Sequence, residues 1–536
     1  MTFSSARTVP SLLAEQAHLG GHPAVIEEGR KTSYSQLWDL VRQAARGFLA
    51  AGIQHGDRVA VWAPNSLEFI VAMLGAQTIG APAVPLSTRF TGHEAAEVLR
   101  RSGTSLLAVT DGFLNKSYTG MLKEAGIDDG AEGSPIPGLP DLHTIVRLDN
   151  IDAGENEISW DTFLGQGKAI SDDALQAAID AVKEADVVDL LYTSGTTGAP
   201  KGVMSAHRQT IGVAYAWAKG AELSADDRYA IVNPMFHGFG YKAGFVAALV
   251  AGATIYPVKI LDATALLELI QSAQITVLPG VPTVFTSLLD HPKLGEYETS
   301  SLRFAIAGAT TAPESLFRDM HEILGFQTVA QAYGLTECVV ATMSRPRENL
   351  EHAQQTTGPA IHGTEIRVVD PEGNDVPINT DGEVLLRGEN VMLGYFQDEE
   401  ATAAAIDADG WFRTGDAGQL DEHGCLKITD RLKDMFIVGG FNVYPAEVEN
   451  VLRQHPAVNE SAVIGVPDDR LGCVGRAYVR LLAEADPKPT EVDLEQFCRK
   501  RLSNYKVPRD IVIVAEFPRN STGKILKKDL RSEAGV

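Results

Sequence analysis

A chain of 536 residues with a formal net charge of −24 is too long for one compact domain and too acidic to hold nucleic acid on its general surface. Hydrophobic residues make up 44% of it and the mean hydropathy is −0.04, the balance of an ordinary globular protein able to bury several cores. Cys338, Cys425, Cys473 and Cys498 lie far apart with no CxxC pair, which excludes a zinc ribbon or a disulfide framework and points to reduced thiols in a cytoplasmic protein. So negative a field would also repel any polyphosphate ligand unless cations are gathered locally.

In chain order, Met1 to Pro10 lacks the basic and apolar regions of a secretory signal. Ser35 to Gly52 has helical periodicity and Arg58 to Trp62 reads as a strand. Phe69 to Leu86 is uncharged, but Gly75, Gln77, Thr78, Gly80, Pro82 and Pro85 fit a buried helix running into a strand rather than a membrane span. Glu124 to Pro140, rich in Gly, Pro and acid, reads as an exposed connection. Arg228 to Val232, Ala253 to Pro257, Gln274 to Leu278 and Phe304 to Ala307 read as buried strands. Strand and turn signals fill Glu365 to Gly415, and the charged run Asp430 to Asp434 closes them. A fresh pattern follows, with helices at Pro445 to Gln454 and Glu491 to Leu502 and strands at Glu460 to Gly465 and Ala477 to Leu482. The expectation is an α/β protein: a large N-terminal region at 1–432, with β-sheets flanked by helices, and a small mobile α/β domain at 433–536.

The strongest chemical signal is Thr193-Ser194-Gly195-Thr196-Thr197-Gly198-Ala199-Pro200-Lys201-Gly202, delivered by the apolar run Leu190-Leu191-Tyr192. Glycines let backbone N–H groups turn toward an anion, hydroxyls add donors, and the lysine adds charge, which is phosphate-cradling chemistry. The spacing is not that of a P-loop, because Lys201 follows Pro200 and precedes Gly202. Gly238-Phe239-Gly240-Tyr241-Lys242-Ala243 fits a GxGxxA dinucleotide pattern with Asp262 beyond it, so an NAD-dependent dehydrogenase is a rival reading. Pro234 and His237 interrupt the strand that pattern needs.

Thr193 to Gly202 resembles the signature loop of the adenylate-forming superfamily, which contains acyl-CoA synthetases, peptide-synthetase adenylation domains and luciferases. The superfamily's other motifs follow in order along essentially the whole chain. In Gln331-Ala332-Tyr333-Gly334-Leu335-Thr336-Glu337, an aromatic ring can stack on adenine, a hydroxyl can hold the α-phosphate and a carboxylate can ligate magnesium. The resemblance gives those roles to Tyr333, Thr336 and Glu337, with Thr193 also at the metal and Ala332 and Gly334 beside the nucleotide. It assigns Asp416, in Trp411-Phe412-Arg413-Thr414-Gly415-Asp416, to the ribose as an exposed carboxylate, and Arg431 to the ribose or phosphate. Lys433 matches the hinge on which relatives swing the small domain. Gly439 and Gly440 match the loop that admits the pantetheine arm. Lys524, in Ser521-Thr522-Gly523-Lys524, matches the lysine that bridges substrate carboxylate and α-phosphate. Around it lie Arg499, Lys500, Arg501, Lys506, Arg509, Arg519, Lys527, Lys528 and Arg531, the cation gathering that an acidic protein handling ATP requires. The chain departs from its relatives at Gly472-Cys473, where a Gly-Glu pair is usual, and at Ala332, where glycine is common.

On the acyl side, His237 matches a histidine that gates the carboxylate pocket, and Gly280, Gly308 and Ala309 should form its walls. Small residues there and no tryptophan in these segments disfavour acetate. Ala206-His207-Arg208-Gln209, Phe239 to Gly244 and Leu289-Asp290-His291-Pro292 are similar to actinobacterial synthetases that activate a bicyclic propanoate left from steroid-ring degradation; a medium- or long-chain fatty acid is the alternative. The resemblance thus implies an AMP-forming acid–thiol ligase of lipid metabolism. Its ligands would be a small carboxylic acid, ATP, Mg2+ and coenzyme A, with no nucleic acid, no stable membrane insertion and room for a homodimer. A separate carrier protein as acyl acceptor is the alternative to coenzyme A.

Overall fold

Capping chemistry and apolar spacing coincide at the first long helix, Tyr34–Ala50. Ser33 accepts the Gln36 N–H, the Gln36 side chain returns to Ser33 N, and Leu37, Val41, Ala44, Ala45 and Phe48 fall on one buried face. The next helix, Leu67–Thr78, is different: eleven of its twelve residues are buried, every one but Glu68. A helix buried on all sides must lie between layers.

Those layers are two sheets. The computed structural model describes residues 6–125, 138–150, 157–193, 200–308, 314–345, 352, 355–431, 434–438, 441–468, 471–502, 504–520 and 523–536. They divide into two compact units, Met1–Glu365 with Arg387–Trp411, and Ile366–Leu386 with Phe412–Val536. The first unit holds an eight-stranded sheet in the order Gly394–Tyr395, Lys201–Ala206, Val187–Thr193, Ala83–Pro85, Arg58–Trp62, Thr104–Val109, Thr144–Arg147 and Glu157–Ser159. Pairing is antiparallel at the Gly394–Tyr395 end and parallel from Val187–Thr193 onward. A second sheet orders Arg228–Ile231, Thr254–Pro257, Pro23–Glu27 and Arg30–Ser33. One continuous core takes Val59, Val61 and Leu191 from the first sheet, Val25, Ile231 and Ile255 from the second, and Phe69, Ile70 and Met73 from the helix between.

The expected strands at Arg58 to Trp62, 228–232, 253–257 and 304–307 are present as Arg58–Trp62, Arg228–Ile231, Thr254–Pro257 and Phe304–Ile306. Gln274 to Leu278 is the exception. Gln274 ends the helix Ala263–Ala273 in a left-handed conformation, φ 53°, leaving too little extended chain before Pro279. Val277 alone bridges Tyr229 and Phe304 there.

The second unit is built on two larger sheets and the antiparallel pair Phe436–Val438 with Phe441–Val443. One orders Thr364–Val369, Gly382–Gly388, Phe412–Leu420 and Leu426–Arg431; the other orders Val458–Asp468, Gly472–Leu481 and Asp510–Ile513. Helices Pro445–Arg453 and Glu491–Arg499 bury Val448, Leu452, Leu494 and Cys498 with Val463, Ala477 and Val479 of the three-stranded sheet. Among the described residues, no helix is long and apolar enough to cross a membrane.

Candidate active site

Strand Val187–Thr193, third in the order of the large sheet, pairs antiparallel with Lys201–Ala206, so that Thr193 stands opposite Lys201 at the loop end of the hairpin. The Thr193 hydroxyl donates to the Lys201 carbonyl at 3.5 Å. Ser194, Gly195, Thr196, Thr197 and Gly198, the body of the predicted phosphate loop, lie outside the described residues, as does Ala309.

The second nucleotide motif reaches the same end of the sheet. Ala332–Tyr333 pairs antiparallel with Thr342–Met343, and the chain then turns back sharply. A Cβ at Gly334 would sit 1.8 Å from the Val339 carbonyl oxygen, so only glycine fits this turn. Thr336 and Glu337 follow, both half-buried.

One residue the motifs did not single out joins these pieces. Tyr395 lies on the two-residue strand paired with Lys201–Ala206. Its hydroxyl donates to Glu337 Oε1 at 2.9 Å, and the Lys201 ammonium stands 4.8 Å from its ring centroid. The sequence signal that could have found it is Gly394-Tyr395-Phe396, a Gly-aromatic pair short enough to pass as a turn. Thr193, Lys201, Glu337 and Tyr395 thus collect at one sheet edge. The carboxylate of Glu337 and the hydroxyl of Thr193 are hard oxygen donors, the set that suits magnesium rather than a thiophilic metal. Cys338, next in sequence, takes no part: it is fully buried, its thiol pushed up by desolvation, with the Asn390 amide donating to it.

On the acyl side, His237 caps the short helix Gly238–Gly240, its Nδ1 accepting the Phe239 N–H at 3.3 Å. The ring is surface-accessible, yet protein atoms crowd it closely enough that desolvation lowers its pKa. Phe239 packs edge-on against Trp217 at 5.7 Å, and a Cβ at Gly308 would come within 3.5 Å of the Phe239 ring. A side chain at position 308 would therefore pack against that phenyl group at ordinary contact distance. The GxGxxA segment is no dinucleotide loop: Tyr241–Val246 forms a π-helix, with all six residues buried and the Lys242 ammonium sealed in the core against Asp189.

In the second unit, Asp416 stands opposite Arg431 across the strands Phe412–Leu420 and Leu426–Arg431. The expectation of an exposed carboxylate is corrected here: Asp416 is 3% exposed, because it lies within the strand and not beyond its end. Gly415 before it adopts φ +67°, and the Thr414 hydroxyl accepts the Asp416 N–H at 3.0 Å while donating to Val384 O at 2.7 Å. The Arg431 side chain, Lys433, Gly439 and Gly440 lie outside the described residues. Lys524 is exposed on a closed turn, its N–H donating to Asn520 Oδ1 at 2.8 Å and its carbonyl accepting from Asn520 N at 2.9 Å. The basic neighbourhood is largely neutralised in place: Arg499 pairs with Glu495, Lys506 with Glu447, Arg519 with Glu460, Lys527 with Glu449 and Arg531 with Asp434.

Residues 13–396 match the AMP-binding enzyme family, and residues 447–524 match the AMP-binding enzyme C-terminal domain. The chain is 46% identical to the 3-[(3aS,4S,7aS)-7a-methyl-1,5-dioxo-octahydro-1H-inden-4-yl]propanoyl:CoA ligase of Rhodococcus jostii (strain RHA1), over 98% of each chain. It is 45% identical to the ligase of the same name from Mycobacterium tuberculosis, over 99% of each. Among solved structures, it resembles the anthranilate CoA ligase AuaEII in complex with anthranoyl-AMP, with a TM-score of 0.85 and 26% identity over 98% of this chain and 97% of that one. The o-succinylbenzoate CoA synthetase of Bacillus subtilis, in complex with its acyl-adenylate intermediate, gives a TM-score of 0.81 and 29% identity over 97% of both.

Proposed function

The chain belongs to the AMP-binding enzyme family, and from that premise we propose that it joins a bicyclic, steroid-derived propanoate to coenzyme A through an acyl-adenylate. As an AMP-forming acid–thiol ligase it carries out two displacements. A carboxylate oxygen of the acid attacks the α-phosphorus of ATP and pyrophosphate leaves; the coenzyme A thiolate then attacks the acyl carbon and AMP leaves. The first step is needed because a carboxylate is a poor electrophile and a thiol of reference pKa ~8.5 is only partly ionised at neutral pH.

Lys201 and the loop at 194–198 hold the phosphates of ATP. Thr193 and Glu337 supply oxygen ligands to magnesium, which when bound neutralises phosphate charge. Tyr333, with Ala332 and Gly334 beside it, receives the adenine, and Thr336 the α-phosphate. Asp416, with Arg431 as its cross-strand neighbour, takes the ribose hydroxyls; near-complete burial suits a carboxylate kept for hydrogen bonding rather than for solubility. Lys524 bridges the acid and the α-phosphate as negative charge develops. Lys433 serves as hinge between the regions 1–432 and 433–536, and Gly439 and Gly440 leave the pantetheine arm its path. The gathering of Thr193, Lys201 and Glu337 at one sheet edge supports the nucleotide assignments.

The observation that carries the choice of acid is whole-length identity of 46% and 45% to two ligases named for one bicyclic propanoate. Half-buried Phe239, held edge-on by the buried Trp217 and next to Gly308, offers an apolar ring against which a fused ring system can pack. The test is pyrophosphate release with this propanoate, octanoate, palmitate and acetate, with free coenzyme A or a phosphopantetheinylated carrier protein as acceptor. The bicyclic acid with free coenzyme A should lead the fatty acids in kcat/KM by at least ~10-fold, the scale of a pocket's apolar discrimination. Equal turnover of octanoate would overturn the choice of acid, and preference for the carrier would overturn the acceptor.

A further inference from the structure

Tyr395 touches two residues of the adenylation reading at once, and its backbone is anchored to the segments that carry them. Its N–H donates to the Thr402 hydroxyl at 2.8 Å. On one side, Met392 N donates to the carbonyl of Glu337 itself at 2.7 Å; on the other, Phe396 N donates at 2.7 Å to the carbonyl of Gly202, next to Lys201. Gly394 permits this path: its φ is +141° and a Cβ would lie 2.7 Å from Thr402 Cγ2. The ring is thereby fixed between the two motifs, edge and hydroxyl toward Glu337, electron-rich face toward the Lys201 ammonium.

We propose that Tyr395 is a positioning residue for adenylation, its hydroxyl orienting the Glu337 carboxylate and its ring orienting the Lys201 ammonium. A carboxylate held through Oε1 presents Oε2 in a fixed direction, the usual role of an outer partner behind a metal ligand. The hydroxyl is suited to this because a phenol carries an O–H that it can donate to a carboxylate oxygen. A cation over the ring face keeps the flexible lysine from collapsing onto Glu337, where it would compete for the carboxylate that the metal needs. The inference rests on Glu337 being the magnesium ligand of the proposed reaction.

Two substitutions separate the two halves of the role. Tyr395→Phe keeps the ring and removes the hydroxyl; Tyr395→Leu removes both. The direct readout is Mn2+ affinity by electron paramagnetic resonance in the presence of α,β-methylene ATP, alongside the magnesium dependence of pyrophosphate exchange and thermal melting. Tyr395→Phe should weaken the metal and raise the magnesium requirement by ~10–100-fold, the cost typical of losing such a partner. Its melting temperature and its rate of thioester formation from preformed acyl-adenylate should stay at wild-type values. Tyr395→Leu should show the same metal defect and in addition a raised KM for ATP. Should the leucine variant melt below the assay temperature, the phenylalanine arm decides alone. A lowered melting temperature with wild-type metal affinity in Tyr395→Phe would make the tyrosine purely structural and overturn the proposal. Glu337→Gln is run in parallel: if it leaves metal affinity unchanged, the ligand assignment itself is wrong. If it abolishes the affinity while Tyr395→Phe does not reduce it, only the positioning role fails.

Discussion

Lys242 and Asp189 meet at 3.0 Å with side chains 2% and 0% exposed, joining the segment that follows His237 to the strand that delivers the phosphate loop. Ser205 accepts from the ammonium at 2.6 Å and Thr210 donates to Asp189 Oδ2 at 3.0 Å. Asp189 Oδ1 takes no well-directed hydrogen bond and relies on the charge of Lys242. Burial pulls the lysine pKa down, so the pair is held charged by mutual attraction against desolvation.

Removing one partner therefore leaves the other charge stranded. Lys242→Met should destabilise the first unit by about 3–5 kcal/mol, read from the shift of its urea transition, while Lys242→Met with Asp189→Leu should recover most of that loss. A single variant within about 1 kcal/mol of wild type would mean that water reaches the pair.

Gly334 admits no side chain, because the Val339 carbonyl occupies the place of its Cβ. Gly334→Ala should cost about 1–3 kcal/mol from overpacking and displace Tyr333 and Thr336 on either side. The expected kinetic signature is a raised KM for ATP with a smaller change in the KM for the acid. A wild-type KM for ATP would detach this turn from the nucleotide.

His207 makes acid stability measurable. Its ring is fully buried; Nδ1 accepts from Val9 N at 3.1 Å and Nε2 has no partner among the described residues. Desolvation pulls its pKa down to about 4, with Asp186 opposing and His55 assisting. Above pH 6.5 the residue is neutral folded and unfolded alike and adds no pH dependence. As pH falls below 6.5 the unfolded chain takes a proton that the folded chain refuses, so stability declines, and the decline is complete near pH 4 at about 3 kcal/mol. His207→Gln should flatten the fall of the urea midpoint across that window relative to wild type. Parallel curves for both proteins would show that the ring protonates in the folded state.

The strands and helices were legible where period and punctuation agreed. Arg58–Trp62 and Pro445–Arg453 follow from β-branched runs and from Pro at a helix start. Gln274 to Leu278 misled because a β-branched run carries no record that Gln274 adopts a left-handed cap. The grouping of Thr193 with Lys201, and of Tyr333 with Glu337, was legible because each pair lies close in sequence within one motif. Tyr395 was not, being 58 residues from Glu337 and placed by strand pairing alone. The burial of Asp416 and the ion pairs that occupy Arg499, Lys506, Arg519, Lys527 and Arg531 likewise depend on partners distant in the chain.

That pairing sharpens the test of Lys524. Five of its basic neighbours are committed to carboxylates within their own unit, so they are poorly placed to replace it. Lys524 itself is presented by a turn stiffened by reciprocal bonds with Asn520 and by Gly523 at φ +85°. Lys524→Ala should lower the adenylation half-reaction, followed as pyrophosphate exchange, by ~10²–10³-fold, the scale of losing a positioned stabiliser of developing charge. Given preformed acyl-adenylate, the same variant should form acyl-CoA at close to the wild-type rate, since the α-phosphate chemistry is already complete. Asn520→Ala should show a weaker form of the same split by loosening the turn without removing the charge. If Lys524→Ala slowed both half-reactions equally, the lysine would act in thioester formation as well, and the assignment of separate residues to the two displacements would fall.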